Sequence, residues 1–534
     1  MADTKREIER KFEFTSATGK AAGEAPGKTA GKAAGKSAGK AAGKAAKKRL
    51  PDLTGTAAIT AVRRRGTATL DAVYYDTPDL RLAADGLTLR RRTGGADEGW
   101  HLKLPVAPGV RDELTAPLGD DTVPRSLASL LRSRTREAEL VPQVRLVSRR
   151  KVTHLLDAEG ALLAELSTDT VTAERGRAGA AWTEVEVELA DGVDPKLLDA
   201  VEKTFRKAGL KVSDAPSKLA RALAETGATP PARPAPGPAD DTAGGHVLAY
   251  LREQREALIA HDPAVRRELP DSVHQMRVAT RRLRSALATY RTVLDRTATE
   301  PLRAELRWLA AELGADRDQE VLRDRLRTRL DEVDVTLLLG PVRARLRVWD
   351  TARSAETRLR VLAALDSERY LDLLDSLDAL LAAPPLRKAA SRPAAKVLAK
   401  AVRRDHDRLA RRVRRALAAS AGHERDLALH EARKAAKRAR YAADAAAPAI
   451  GKPAERLAKA TKKVQTLLGD HQDSVVARDA LRALAVQAAG AGETSFTWGL
   501  LHGREEALAE RYERELPRVW AKTSRRGAAF ARGR

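Results

Sequence analysis

The chain has no cysteine among its 534 residues, which excludes disulfides, thiolate metal sites and cysteine nucleophiles. Aromatic residues make up only 3% of it, too few for the stacking platforms that hold single-stranded nucleic acid. It contains no apolar run of the roughly 18 residues that a membrane-spanning helix needs. The first residues lack the apolar core of a secretory signal, so a cytoplasmic location and no membrane partner are expected. Acidic residues are nearly missing from two stretches. Residues 20–49 hold only Glu24 against nine Lys/Arg, and residues 521–534 hold no acid against five Lys/Arg. These two stretches carry about half of the net +25, so the remainder is only mildly basic and local clustering matters more than net charge.

What is present divides the chain. Its length predicts two to four domains, and its basic balance makes a polyanion the first partner to consider. In the insert 16–49, Lys28, Lys32, Lys36, Lys40 and Lys44 recur every fourth residue, with glycines at the same period. Glycine weakens a helix by about 1 kcal/mol relative to alanine, and like charges four apart repel. The insert is therefore predicted to be disordered, and is suited to nonspecific contact with nucleic acid or another polyanion.

The informative stretch is Glu7-Ile8-Glu9-Arg10-Lys11-Phe12. As a strand it places Glu7, Glu9 and Lys11 on one face, and its two carboxylates, about 7 Å apart, can share a hard divalent cation. Alone this is an ordinary solvated face. Between Thr69 and Leu189, however, further strands repeat it: Leu70–Asp76, Leu87–Arg92, Gly99–Leu104, Val144–Leu156, Leu162–Val171 and Thr183–Leu189. Arg90 and Arg92 share a face, as do His101 and Lys103; Glu165, Ser167 and Asp169; and Glu184, Glu186 and Glu188. Such rows predict a closed sheet with a charged interior. Helical patterns near Val123–Leu131 and Pro195–Ala208 would cover its outside.

The ordered set Glu7-x-Glu9-x-Lys11, Tyr74-Tyr-Asp-Thr77, Leu89-Arg-Arg-Arg92, Trp100-His-Leu-Lys-Leu-Pro105, Glu184-x-Glu186-x-Glu188 and Ser217-Lys218 resembles the CYTH family of triphosphate tunnel metalloenzymes across residues 1–225. The resemblance implies an antiparallel eight-stranded tunnel with flanking helices. It also implies hydrolysis of inorganic triphosphate or a triphosphorylated small molecule with Mg²⁺ or Mn²⁺. Carried onto this sequence, Glu7, Glu9, Glu186 and Glu188, with Asp169 and Glu184 behind them, would hold metal. Lys11, Arg90, Arg92, Lys103, Arg150 and Lys218 would hold phosphate oxygens. Lys11 and Glu9 would serve catalysis, Glu9 by orienting water. Arg149, Arg150 and Lys151 compete for one inward position, because a one-residue slip exchanges faces.

Residues 226–245 are rich in proline and glycine and read as a linker. From 246 to 520 strand signals vanish, and an all-α bundle with an internal repeat is expected. His274, Arg277, Arg281, Arg282 and Arg284 recur as His430, Arg433, Lys437, Arg438 and Arg440. Leu313-Gly314 recurs as Leu468-Gly469, again about 155 residues on. On a helix His274, Arg277, Arg281 and Arg284 fall within an arc of about 80°, so each half presents a basic stripe. Asp318, Asp470 and Asp473 are expected to cap helices or to pair with these arginines.

The duplicated signature resembles the CHAD domain family, which is associated with inorganic polyphosphate and is often fused to CYTH. A multidomain α+β chain follows, with a duplicated helical bundle after the tunnel and a basic tail at 521–534. The reading is a triphosphatase whose helical domain binds polyphosphate, with a place on polyphosphate granules. The alternatives are a non-catalytic polyphosphate- or nucleic-acid-binding protein and a class IV-type adenylate cyclase.

Overall fold

A computed structural model describes residues 3–15, 49–233 and 237–533. The lysine-rich insert, with its expected disorder and nucleic-acid contact, falls on residues 16–48, outside the described ones. The chain divides into two compact units, Met1–Arg233 and Pro234–Arg534. Among the described residues no helix is long and apolar enough to cross a membrane.

Among the described residues of the first unit, alternation of charged and apolar residues yields nine strands: β1 (Asp3–Phe14), β2 (Ala61–Asp76), β3 (Thr88–Thr93), β4 (Gly99–Ala107), β5 (Val110–Ala116), β6 (Val141–Leu156), β7 (Leu162–Arg175), β8 (Ala178–Leu189) and β9 (Leu210–Val212). Eight are ordered β5-β4-β3-β2-β6-β7-β8-β1, all antiparallel, and pairing of β1 with β5 closes the ring; β9 is added to β1. This is the expected eight-stranded tunnel. β2 starts at Ala61, well before Thr69.

The barrel is built inside out. Phe12, Leu166, Val185 and Val187 point outward and bury Leu198, Val201 and Phe205 of α3 (Lys196–Lys207). Leu89, Trp100, Leu102 and Leu114 do the same for Leu127, Leu130 and Leu131 of α2 (Arg125–Thr135), beside the single turn α1 (Arg81–Ala84). Because strand faces alternate, this packing sends the charged rows inward. The exception is one end of the lumen. There Tyr74, Leu146, Ala173 and Trp182, in phase with the charged residues, close around Leu219, Ala222 and Leu223 of α4 (Lys218–Glu225). An apolar plug thus fills that end. Ser217 caps α4, its Oγ accepting from the Ala220 amide at 3.0 Å, and this sets Lys218 at the plug's inner tip.

The second unit is helical: α5 (Ala243–Arg266), α6 (Ser272–Thr289), α7 (Arg296–Asp331), α8 (Val342–Asp366), α9 (Glu368–Ala382), α10 (Ala394–Ala418), α11 (His423–Ile450), α12 (Lys452–Gly490) and α13 (Phe496–Ala531). The repeat places α6 and α7 in correspondence with α11 and α12. The starts of α5 and α10 are joined reciprocally: the Ala243 amide donates to the Arg392 carbonyl at 2.9 Å, and the Ala394 amide to the Asp241 carbonyl at 3.2 Å. Such an exchange is what a pseudo-two-fold between the halves requires. The same symmetry appears in packing. Arg277 lays its guanidinium against Gly314, and Arg433 lays its own against Gly469.

Residues 521–531 do not form a tail. They continue α13, with Thr523, Gly527 and Phe530 buried. Phe530 belongs to the core of the bundle, Gly527 packs directly on the His406 ring, and that ring stacks on Trp520 with centroids 5.7 Å apart. Asp470 and Asp473 lie inside α12 and cap nothing; Asp473 pairs with Arg433 at 3.5 Å. The side chain of Asp318 is outside the described ones.

Candidate functional site

The inner wall of the barrel carries the candidate site. Glu7, Glu9 and Lys11 of β1, Arg90 and Arg92 of β3, Lys103 of β4, Arg150 of β6, Glu186 and Glu188 of β8 and Lys218 of α4 line one cavity of about 60 Å³. The register of β6 on β7 resolves the Arg149/Arg150/Lys151 ambiguity. Arg150 lies opposite Asp169 and points inward, while its neighbours are exposed.

The side chains interlock. Lys218 Nζ lies 3.0 Å from Asp169, 2.7 Å from Glu184 and 2.5 Å from Glu186. Arg150 grips Asp169 with two bonds of 2.9 and 2.8 Å and reaches Glu186 at 3.1 Å. Lys11 Nζ lies 2.5 Å from Glu186 and 3.4 Å from Glu9. Lys103 meets Glu7 at 2.5 Å, and Glu188 sits nearer the rim, held by Lys5 at 2.5 Å. Asp169 and Glu184 do not line the cavity. They stand behind it as counter-ions, Glu184 also accepting from the Trp182 indole at 2.7 Å. Asp169, Glu184 and Glu186 bring one oxygen each within 4.8 Å of the others, a set able to hold an ion, and Lys218 already places its ammonium among them.

Electrostatics follow burial and partner. Burial would raise Glu186, but Lys11, Lys218 and Arg150 hold it well below the usual carboxylate range. Burial would likewise lower Lys218 and Lys11, yet their carboxylates, Glu186 foremost, keep both above the ordinary lysine value. Glu7 goes the other way. Burial, reinforced by Glu113 and only partly offset by Lys103, raises it to about 7. Arg92 is lowered by burial and by Arg90 beside it.

Several lining residues were given no role by the sequence. Glu113 accepts from His101 at 3.0 Å and lies 3.5 Å from Arg90 and 3.6 Å from Lys103. Arg111 lies 3.9 Å from Glu9 and donates to the Pro216 carbonyl. Both belong to β5, a strand with little alternation of polarity to betray it. Tyr74 accepts from Arg90 at 3.4 Å, and Asp97 pairs with Arg92.

In the helical unit the predicted stripes lie on α6 and α11. His274, Arg277, Arg281, Arg284, His430, Arg433, Lys437 and Arg440 are half-buried along them. Arg284 is lowered by burial and by Arg307, Arg281, Arg303 and Arg277 crowding it, the mark of a dense cationic surface. His430 is lowered by burial and bonds Gln472 at 2.6 Å. Two predicted residues turn inward. Arg282 reaches Gln254 at 3.4 Å and lies over the Tyr441 ring, and Arg438 bonds buried Asp405 at 3.0 Å and the Ala288 carbonyl at 2.8 Å. Arg438 also lines a cavity with Arg291, Arg296, Arg303 and Arg408, which the repeat did not mark.

Comparison with known proteins agrees with this division. Residues 47–223 match the CYTH domain family and residues 249–482 the CHAD domain family. Uncharacterized proteins from two strains of Mycobacterium tuberculosis are 41% identical over 484 residues, which is 87% of this chain and 92% of theirs. Among solved structures, PptA from Streptomyces chartreusis (23% identity, TM-score 0.44) covers 52% of this chain and 99% of its own. The CHAD domain of the plant Ricinus communis (28% identity, TM-score 0.44) covers 55% of this chain and 96% of its own.

Proposed function

The chain belongs to the CYTH–CHAD family, one domain in each unit, and from that premise we propose that the tunnel is a metal-dependent triphosphatase and the helical unit a polyphosphate binder. The observation that carries the first half is the inward-facing lattice of acids and bases behind an apolar outer wall. A triphosphate entering it meets Lys11, Arg90, Arg92, Lys103, Arg150 and Lys218, and Arg111 besides. Guanidinium forks and ammonium groups neutralise the equatorial oxygens, which is most of what phosphoryl transfer asks of a protein.

The carboxylates fit a hard cation. Each lysine or arginine that turns from its carboxylate to a phosphate leaves a buried acid uncompensated, a costly state. Glu7, Glu9, Glu186 and Glu188, which line the cavity, are then free as oxygen ligands for Mg²⁺ or Mn²⁺. Bound there, the metal would supply Lewis-acid polarisation of phosphate oxygens. Glu9, held by Lys11 only at 3.4 Å, is the acid best placed to orient water. The duplicated stripes support polyphosphate binding, and retention on polyphosphate granules in the cytoplasm would follow.

The test is a panel of inorganic and organic triphosphates with the purified protein, with and without EDTA. Orthophosphate release should vanish with EDTA and fall at least 100-fold in Glu7→Gln and Glu9→Gln. Equal rates with and without chelator would remove the metal from the account. Pyrophosphate release from ATP would indicate a cyclase instead.

A further inference from the structure

The C-terminal basic stretch is unexplained by either reading, and it lies beyond the residues that match the CHAD family. Its fold gives it a use. Helices α12 and α13 leave between them a groove with roughly 870 Å³ of free space. One wall carries Arg456, Lys459 and Lys463, and the other Lys522, Arg525 and Arg526, all exposed. Spacings of three and four residues keep each row on one helix face. The one acid of the lining, Glu515, is 3.6 Å from a further arginine, Arg518. The floor is small and apolar, with Ala460, Val519 and Ala529, and the wall is fixed because Gly527 and Phe530 anchor α13 from behind.

We propose that this groove is a second polyanion site and that its ligand is an unbranched, base-free phosphate chain, inorganic polyphosphate. Opposed rows of cations on two packed helices, whose axes lie about 8–10 Å apart, admit a thin chain rather than a duplex. The lining has no aromatic side chain on which a base could stack. At a rise of about 1.5 Å per residue the rows extend about 10 Å on α12 and 6 Å on α13, room for a few successive phosphates. The site is separate from the stripes on α6 and α11 and stands or falls without them.

The experiment titrates the full-length protein with inorganic polyphosphate across a series of salt concentrations. The variants are the triple Lys522→Ala/Arg525→Ala/Arg526→Ala, the double Lys459→Ala/Lys463→Ala on the opposite wall, and Arg281→Ala/Arg284→Ala on the first stripe. Each groove variant should weaken binding at least fivefold and flatten the dependence of log K on log salt by about 0.7 per cation removed, as for other single strands. Lys522→Arg should bind as the parent does. If both groove variants keep the parent's affinity and salt slope, the proposal is overturned, whatever the stripe variant does. Loss in the groove variants with none in the stripe variant would uphold the groove and remove the stripes. Displacement of polyphosphate from the groove by equimolar duplex DNA would overturn the assigned ligand.

Discussion

Lys218 is the residue on which the inner wall turns, because one ammonium serves three buried carboxylates. Removing one member of a buried ionic set costs about 3–5 kcal/mol, so Lys218→Ala should lower urea stability by that order and abolish turnover. Lys5→Ala, which releases Glu188 at the rim, should leave stability within about 0.5 kcal/mol. A comparable set in the helical unit gives a pH signature. Glu505 is fully buried, and although burial raises it, Arg325 at 2.6 Å and Arg329 at 2.9 Å hold it below the usual value. A carboxylate lowered by folding adds stability above its unfolded pKa of about 4.3 and loses it as the pH falls through the depressed folded value. Thermal melts of the parent and of Glu505→Gln should therefore differ most at neutral pH and begin to draw together only as the pH falls below about 4.

Among the elements, legibility depended on how loudly a segment alternates. β1 and β8 announce their inward faces because every second residue is charged and Phe12, Val185 and Val187 intervene. β5 hides, because Asp112, on its outward face, is charged too and is satisfied by Arg6 at 2.5 Å. The plug α4 is equally silent: its Leu219 and Leu223 are what any amphipathic helix would show, and only the barrel's register reveals that they point into it. Charge alone makes 521–534 look like a tail, but its spacing does not: Thr523, Gly527 and Phe530 mark a buried helical face between the arginines. The Leu-Gly repeat, by contrast, has a physical reason. Gly314 and Gly469 leave room for the guanidiniums of Arg277 and Arg433. A methyl group at position 469 would come no closer than 3.6 Å to that arginine, so Gly469→Ala should be tolerated and could gain up to about 1 kcal/mol of helix propensity. Gly469→Leu should displace Arg433 and weaken polyphosphate binding severalfold, read by titration.

For the whole molecule, the apolar clusters decide how it melts. Three belong to residues before 234 and three to residues after it, and none of these six crosses the boundary. Calorimetry should resolve two transitions. Triphosphate with Mg²⁺ should raise only the tunnel's, and polyphosphate should raise the helical unit's, since a ligand stabilises the state that binds it. A single transition moved by both ligands would contradict this separation. The architecture at this scale was largely legible: alternating charge gave one unit, the repeat gave the other, and the proline-rich segment fell where the units part.

The helix that stoppers the barrel would also limit what a triphosphatase working inside it could digest. A phosphate chain longer than the free part of the lumen could advance only until its tip met Lys218, and whatever remained inside after cleavage would have to back out by the way it came. A site of that kind would trim ends and not bite through the middle of a polymer, so the distribution of chain lengths during a digest should shorten gradually and never split into halves.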